Sequence, residues 1–143
     1  MLESDFWGRT LCGPLSQLGH VNRLESHATS IGRPDVNMCT KRGVTVDIEL
    51  KSCLISNAGK RLKMRPSQKR WFKDRCAVNG RCFVLARIEY SEKRRPEFLL
   101  IPGGVVHVLQ DGDVMQWKSL AVAEWEWTIP MAELLDLLET AEV

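Results

Sequence analysis

From Val44 to Lys51 the chain reads Val-Thr-Val-Asp-Ile-Glu-Leu-Lys, a strict alternation of aliphatic with polar or charged residues. Successive side chains of an extended strand leave on opposite faces, so Val44, Val46, Ile48 and Leu50 share one face while Thr45, Asp47, Glu49 and Lys51 share the other. A period of two does not fit a helix, so this stretch commits the chain to a β-sheet with one core face and one chemical face. Just upstream, Asp35-Val36-Asn37-Met38-Cys39 reads as a short strand and Lys41-Arg42-Gly43 as a turn, which predicts a hairpin over 35–51.

The rest of the pattern is helix and strand in alternation. Leu15, Leu18, Val21, Leu24 and Ala28 recur at spacings of three and four, which predicts an amphipathic helix over 15–29, broken by Gly32-Arg33-Pro34. A second helix is expected over 66–79, with Pro66 at its start, Trp71 and Phe72 inside, and Asn79-Gly80 as its stop. Residues 82–89 form the most apolar strand, expected in the centre of the sheet. Phe98 to Ile101 is another strand, ended by Pro102-Gly103-Gly104, and Val105 to Leu109 continues or pairs with it. The Trp-rich stretch Trp117 to Trp127 and the Leu-rich 130–140 segment read as one or two helices. No repeat or linker interrupts the pattern. The expectation is one α/β domain spanning 1–143, a central mixed sheet flanked by helices, with its core over about 15–109 and an acidic helical extension over 110–143.

At 143 residues such a domain buries a core without disulfides or a structural metal. No apolar run approaches the length of a membrane span, and the acidic start Met1-Leu2-Glu3-Ser4-Asp5 has none of the features of a secretory signal, so the cytoplasm is expected. The five cysteines, Cys12, Cys39, Cys53, Cys76 and Cys82, form no C-x-x-C pair and read as free thiols; His20 and His27, seven apart, with a cysteine give only a weak zinc signal. Charge is divided along the chain. Residues 41–95 hold sixteen Lys/Arg against five Asp/Glu, whereas 96–143 hold one Lys against nine Asp/Glu.

Asp35 opens the first strand of the hairpin, and Glu49 lies near the end of the second with Lys51 two residues on, pointing the same way. Two carboxylates converging from rigid elements suit Mg²⁺, or Mn²⁺ in its place, and a lysine beside them orients water and screens developing negative charge. Asp47, on the face of Glu49, is an alternative to Asp35 as second ligand.

Gly32-Arg33-Pro34-Asp35, a gap of thirteen residues, and Glu49-Leu50-Lys51 together resemble the motif of the PD-(D/E)XK nucleases. With Glu25 before the motif and Gln68-Lys69-Arg70-Trp71 after it, the order over about residues 20–90 is similar to that of archaeal-type Holliday junction resolvases and phage VRR-NUC-like small nucleases. The resemblance implies a restriction-endonuclease-like core and a Mg²⁺-dependent endonuclease that hydrolyses DNA phosphodiesters, serving recombination, repair or phage DNA processing. It implies that Asp35, Glu49 and the Leu50 carbonyl bind the metal, that Lys51 positions the attacking water, that Glu25 helps hold the metal or a second one, and that Gln68 contacts the water or the scissile phosphate. Lys60, Arg61, Lys63 and Arg65, with Lys69, Arg70 and Lys73 on the following helix, would grip DNA phosphates beside the carboxylates. Trp71 is expected in the core and not under a base.

Cutting a branched substrate symmetrically needs two sites, which implies a homodimer. Trp117, Trp125, Trp127, Leu134, Leu135, Leu137 and Leu138 offer a dimer surface, or a layer that covers the sheet. Two other readings stand beside the resolvase: a nicking, flap or single-strand nuclease acting alone, and a DNA-binding protein that keeps the nuclease fold without activity.

Overall fold

The alternating segment forms β3 (Thr45–Leu54), and both of its faces are covered: only Thr45, Lys51 and Leu54 escape full burial. It lies third in a six-stranded sheet of β1 (Gly19–Arg23), β2 (Val36–Thr40), β3, β4 (Arg81–Glu89), β5 (Glu97–Pro102) and β6 (Ala123–Glu126), arranged in chain order. All neighbours are antiparallel except β3 and β4, which run parallel from Val46↔Arg81 to Leu54↔Glu89. This computed structural model describes residues 3–24, 32–90 and 94–143. The chain is a single α/β domain with a mixed sheet flanked by helices.

A parallel pair needs a crossover. Here α3 (Ala58–Arg61) and α4 (Pro66–Ala77) supply it and cover one face, joined by a 3-10 turn over Gly103–Val108 and by α5 (Val114–Leu120). Phe72, Val84, Ala86, Leu99, Ile101 and Trp117 form the core on that side. On the other face α1 (Glu3–Asp5), a π-helical stretch over Phe6–Leu11, α2 (Cys12–Leu18) and α6 (Met131–Thr140) close over Ile48, Leu50, Phe83, Leu85, Phe98 and Trp125. α4 starts at Pro66, whose missing N–H costs nothing in a first turn, and Asn79 takes φ +63 just past its end, which suits the short polar side chain.

Four expectations are corrected. The helix over 15–29 ends at Leu18, and Gly19–Arg23 is a strand paired with β2; Gly19 lies so close to β2 that a Cβ there would meet the Cys39 carbonyl oxygen at 2.3 Å. Residues 25–29 of that segment are outside the described residues. Gly103–Val108 is a 3-10 turn instead of a strand continuation, following Pro102, which has no N–H for a ladder. Ala123–Glu126 pairs with β5 as a strand, not a helix. The charged face of β3 is a covered face, not an open one, because α4 lies over it.

The tail belongs to the domain. Trp117, Trp125, Leu134 and Leu138 are buried in its two cores, and Leu135 and Leu137 pack against one of them, so of that group Trp127 alone stands mostly exposed, at 60%. Arg81, at the start of β4, ties α6 down: its guanidinium donates to the carbonyls of Leu138 (2.7 Å), Leu137 (3.3 Å) and Ala141 (2.6 Å). These carbonyls lie at the end of α6, where the Leu137 carbonyl also accepts from the Ala141 N–H and where a cation opposes the helix dipole. Arg81→Met, which keeps the aliphatic stem and removes the donors, is expected to lower stability by about 2 kcal/mol, read as a lower urea midpoint with unchanged m-value.

Candidate active site: a carboxylate pair where the sheet divides

β2 and β3 part after the Val36↔Ile48 pair, while β3 runs on to Leu54. Past the split, the Leu50 N–H has no strand on that side and donates to Asp35 Oδ2 at 3.0 Å. Asp35 thus stands in for the missing ladder acceptor, which fixes it against the strand two residues beyond the split. In an extended strand a residue's N–H and C=O leave on the same side, so the Leu50 carbonyl opens on the same gap.

Glu49, 4% exposed, projects from the other face of β3 toward α4. Its Oε2 accepts from Gln68 Nε2 at 2.7 Å and lies 3.2 Å from Lys51 Nζ. Gln68, also buried, accepts through Oε1 from the Arg65 N–H at 2.9 Å and from Lys51 Nζ at 3.4 Å. One amide therefore caps its own helix and holds both catalytic candidates of β3. Burial pushes the Glu49 carboxyl up to about 8, helped by the charge of Asp35 beside it and by a hydrogen bond between the two, against the pull of Lys51. The buried Glu49 therefore resists ionisation beside the half-buried Asp35.

The pair forms the floor of a cleft of about 670 Å³. Asp35, Glu49, Leu50, Lys51 and Gln68 line it, as do four of the predicted phosphate contacts, Lys60, Arg61, Lys63 and Arg65. The other three are not among its lining residues. Lys69 Nζ donates to the Leu109 carbonyl at 2.9 Å, Arg70 is exposed and 4.0 Å from Asp74, and Lys73 is exposed. Glu25 lies outside the described residues. Asp47 is bound to Asn37 Nδ2 at 2.9 Å and lies 3.6 Å from Arg75, so it is occupied away from the cleft and Asp35 is the carboxylate beside Glu49. Trp71 is half-buried with the Arg75 guanidinium 4.6 Å over its ring, an ordinary packing role.

The cleft also holds residues the sequence pattern missed: Glu3 and Ser4 from α1, Arg23 from β1, and Arg33. Arg33 was adjacent to the motif and could have been included on that ground. Nothing local marks Glu3, which reaches the cleft only because the N-terminal helical run packs across the end of β3.

Among the described residues no three His, Cys, Asp or Glu side chains converge as a metal-holding group. Two carboxylates and a backbone carbonyl nevertheless fit a small hard cation that keeps several of its waters. Asp35, Glu49 and the Leu50 carbonyl would hold Mg²⁺ or Mn²⁺.

Compared with known proteins, the chain matches no family model and no curated sequence.

A carboxyl raised on folding binds a proton that the unfolded chain releases, so it lowers stability as pH rises from the ordinary glutamate value toward 8. Chelator-treated protein is therefore expected to lose stability between about pH 5 and pH 8 relative to Glu49→Gln. Added Mn²⁺ should remove much of that slope. Parallel melting curves of the two proteins across this range check it.

Proposed function

We propose that this protein is a metal-dependent nuclease of the PD-(D/E)XK type that hydrolyses DNA phosphodiesters. The observation that carries the reading is the joint placement of Asp35, Glu49, Lys51 and Gln68 on the floor of a cleft whose rim holds Arg23, Arg33, Lys60, Arg61, Lys63 and Arg65. Acidic floors repel phosphates, and this one is ringed by cations that would draw a polyanion over it. The chain order of motif, crossover helix with Gln68, and apolar parallel strand supports the reading, while Glu25 lies outside the described residues.

The roles follow from chemistry. A bound divalent cation would neutralise phosphate oxygens and supply an activated water at neutral pH. Lys51, held by Glu49 and Gln68, would orient that water and screen charge building on phosphorus. Gln68 fixes Glu49 and Lys51 relative to each other, so it serves as a positioning residue, distinct from the direct contact to water or phosphate expected from the sequence. The rim cations hold the flanking backbone.

A structure-selective endonuclease resembling the Holliday junction resolvases is the leading form of this reading, and it calls for a homodimer. A nicking, flap or single-strand nuclease acting alone is favoured by one observation: apart from the exposed Trp127, the apolar tail residues that could have formed a dimer face are committed to the cores of their own domain. The catalytically inactive DNA-binding reading predicts binding without cleavage.

Purified protein with Mg²⁺ or Mn²⁺ would be given labelled four-way junction, flap, nicked duplex, plain duplex, single-stranded DNA and RNA, beside Glu49→Ala and Lys51→Ala. Cleavage should require metal and fall by at least about a hundredfold in each variant, in line with removal of a charge-stabilising group. Paired symmetric cuts in the junction select the resolvase; preference for a flap or single strand selects the monomer. Salt-sensitive binding with no cleavage of any substrate rejects the nuclease.

A further inference from the structure

The cations of one cleft wall sit on a segment with little regular structure of its own. Ala58–Arg61 is a single helical turn and 62–65 is irregular, with exposed Lys60, Arg61, Lys63 and Arg65 interleaved with buried Ala58, Leu62 and Met64. Two groups reach it from a part of the chain remote from the motif. The Gly112 N–H donates to the Leu62 carbonyl at 2.7 Å, and Lys69 Nζ, just beyond the wall, donates to the Leu109 carbonyl. Gly112 has φ +71 and lies so close to α3 that a Cβ would meet Gly59 Cα at 2.6 Å and its nitrogen at 2.8 Å.

The segment that makes these contacts is itself held in place. Gln116 Nε2 donates to the Val108 carbonyl at 2.7 Å, and Gln116 Oε1 accepts from the Gln110 N–H at 2.9 Å. The buried Trp117 ring donates from Nε1 to the Gln110 carbonyl at 2.8 Å, and Asp113 caps α5 by accepting from the Gln116 N–H. These side-chain to backbone bonds fix a loop that is anchored in the core at Leu109 and Trp117 and that meets the basic wall through Gly112.

We infer that residues 108–117 form a positioning bracket for a phosphate-gripping wall, and that the cleft takes a polynucleotide strand gripped at several phosphates along Lys60–Arg65, not an isolated phosphodiester. A small diester needs only the floor. A strand needs the cations at fixed spacing, and exposed lysines and arginines on an untethered loop would lose that register on binding. The inference rests on the nuclease reading for its cleavage arm, while its binding arm stands without it.

The test compares wild type with Gly112→Ala and Gln116→Ala in three measurements: turnover of bis(p-nitrophenyl) phosphate with Mn²⁺, cleavage of a single-stranded oligonucleotide, and oligonucleotide binding in chelator over a series of salt concentrations. The bracket predicts that in both variants KM for the oligonucleotide rises by roughly three- to tenfold with kcat kept, and that the slope of log Kd against log salt shrinks by about one. Turnover of the small diester should not change. Equal losses on both substrates, or no change on either, overturn the inference. Wild type that binds the oligonucleotide steeply with salt but cuts neither substrate removes the nuclease reading, and flattening of that slope in the variants still supports the bracket. Wild type that binds no oligonucleotide removes the bracket. If Gly112→Ala does not fold, half-buried Gln116→Ala, which introduces no backbone clash, decides alone.

Discussion

Charge on a strand buried on both faces needs partners at each position, and β3 finds them on α4, with Asn37 of β2 and its own Lys51 adding to them. Asp47 and Glu49 stand two residues apart on the face that α4 covers, and α4 answers with Arg75 and Gln68, seven residues apart and so on one side of the helix. The two pairs set the position of α4 along β3. Each carboxylate also keeps a second partner, Asn37 at Asp47 and Lys51 at Glu49. The crossover, the parallel pairing with β4 and the location of the cleft all depend on this match between helix and strand.

Within that frame, the site arises from a topological gap. A strand that outruns its neighbour exposes backbone groups that must be satisfied, and here Asp35 satisfies one while bringing a second carboxylate next to Glu49. The arrangement costs stability in the metal-free protein, since desolvation and like charge both oppose ionisation of Glu49. That cost sits in the floor of a cleft lined by Arg23, Arg33, Lys60, Arg61, Lys63 and Arg65.

Features encoded by local chemistry were legible in the sequence. The period-two run located β3 and the faces of Glu49 and Lys51, Pro66 and Asn79-Gly80 bounded α4, and the apolar run identified β4 as a central strand. What escaped is what long-range pairing decides. Leu15, Leu18 and Val21 keep helical spacing, yet Gly19 lets the backbone approach β2, so a strand forms where the pattern said helix. The acidic tail read as helices because its β6 strand exists only by pairing with β5. Among site residues, Glu3 and Arg23 come to the cleft through packing of the N-terminal run and of an edge strand, and no neighbouring residue announces them. The cations split the other way: seven looked alike in sequence, but helical phase turns Lys69, Arg70 and Lys73 off the cleft while the irregular segment before α4 carries four into it.

The contacts that assemble the floor all lie within residues 35–68, since Asp35 meets Leu50, Glu49 meets Gln68, and Lys51 bridges them. Closing such a stretch is entropically inexpensive compared with docking the N-terminal run or the 108–117 segment onto it. The carboxylates and the Lys60–Arg65 wall thus belong to one short stretch of chain, whereas the N-terminal run and the 108–117 segment join it from a distance.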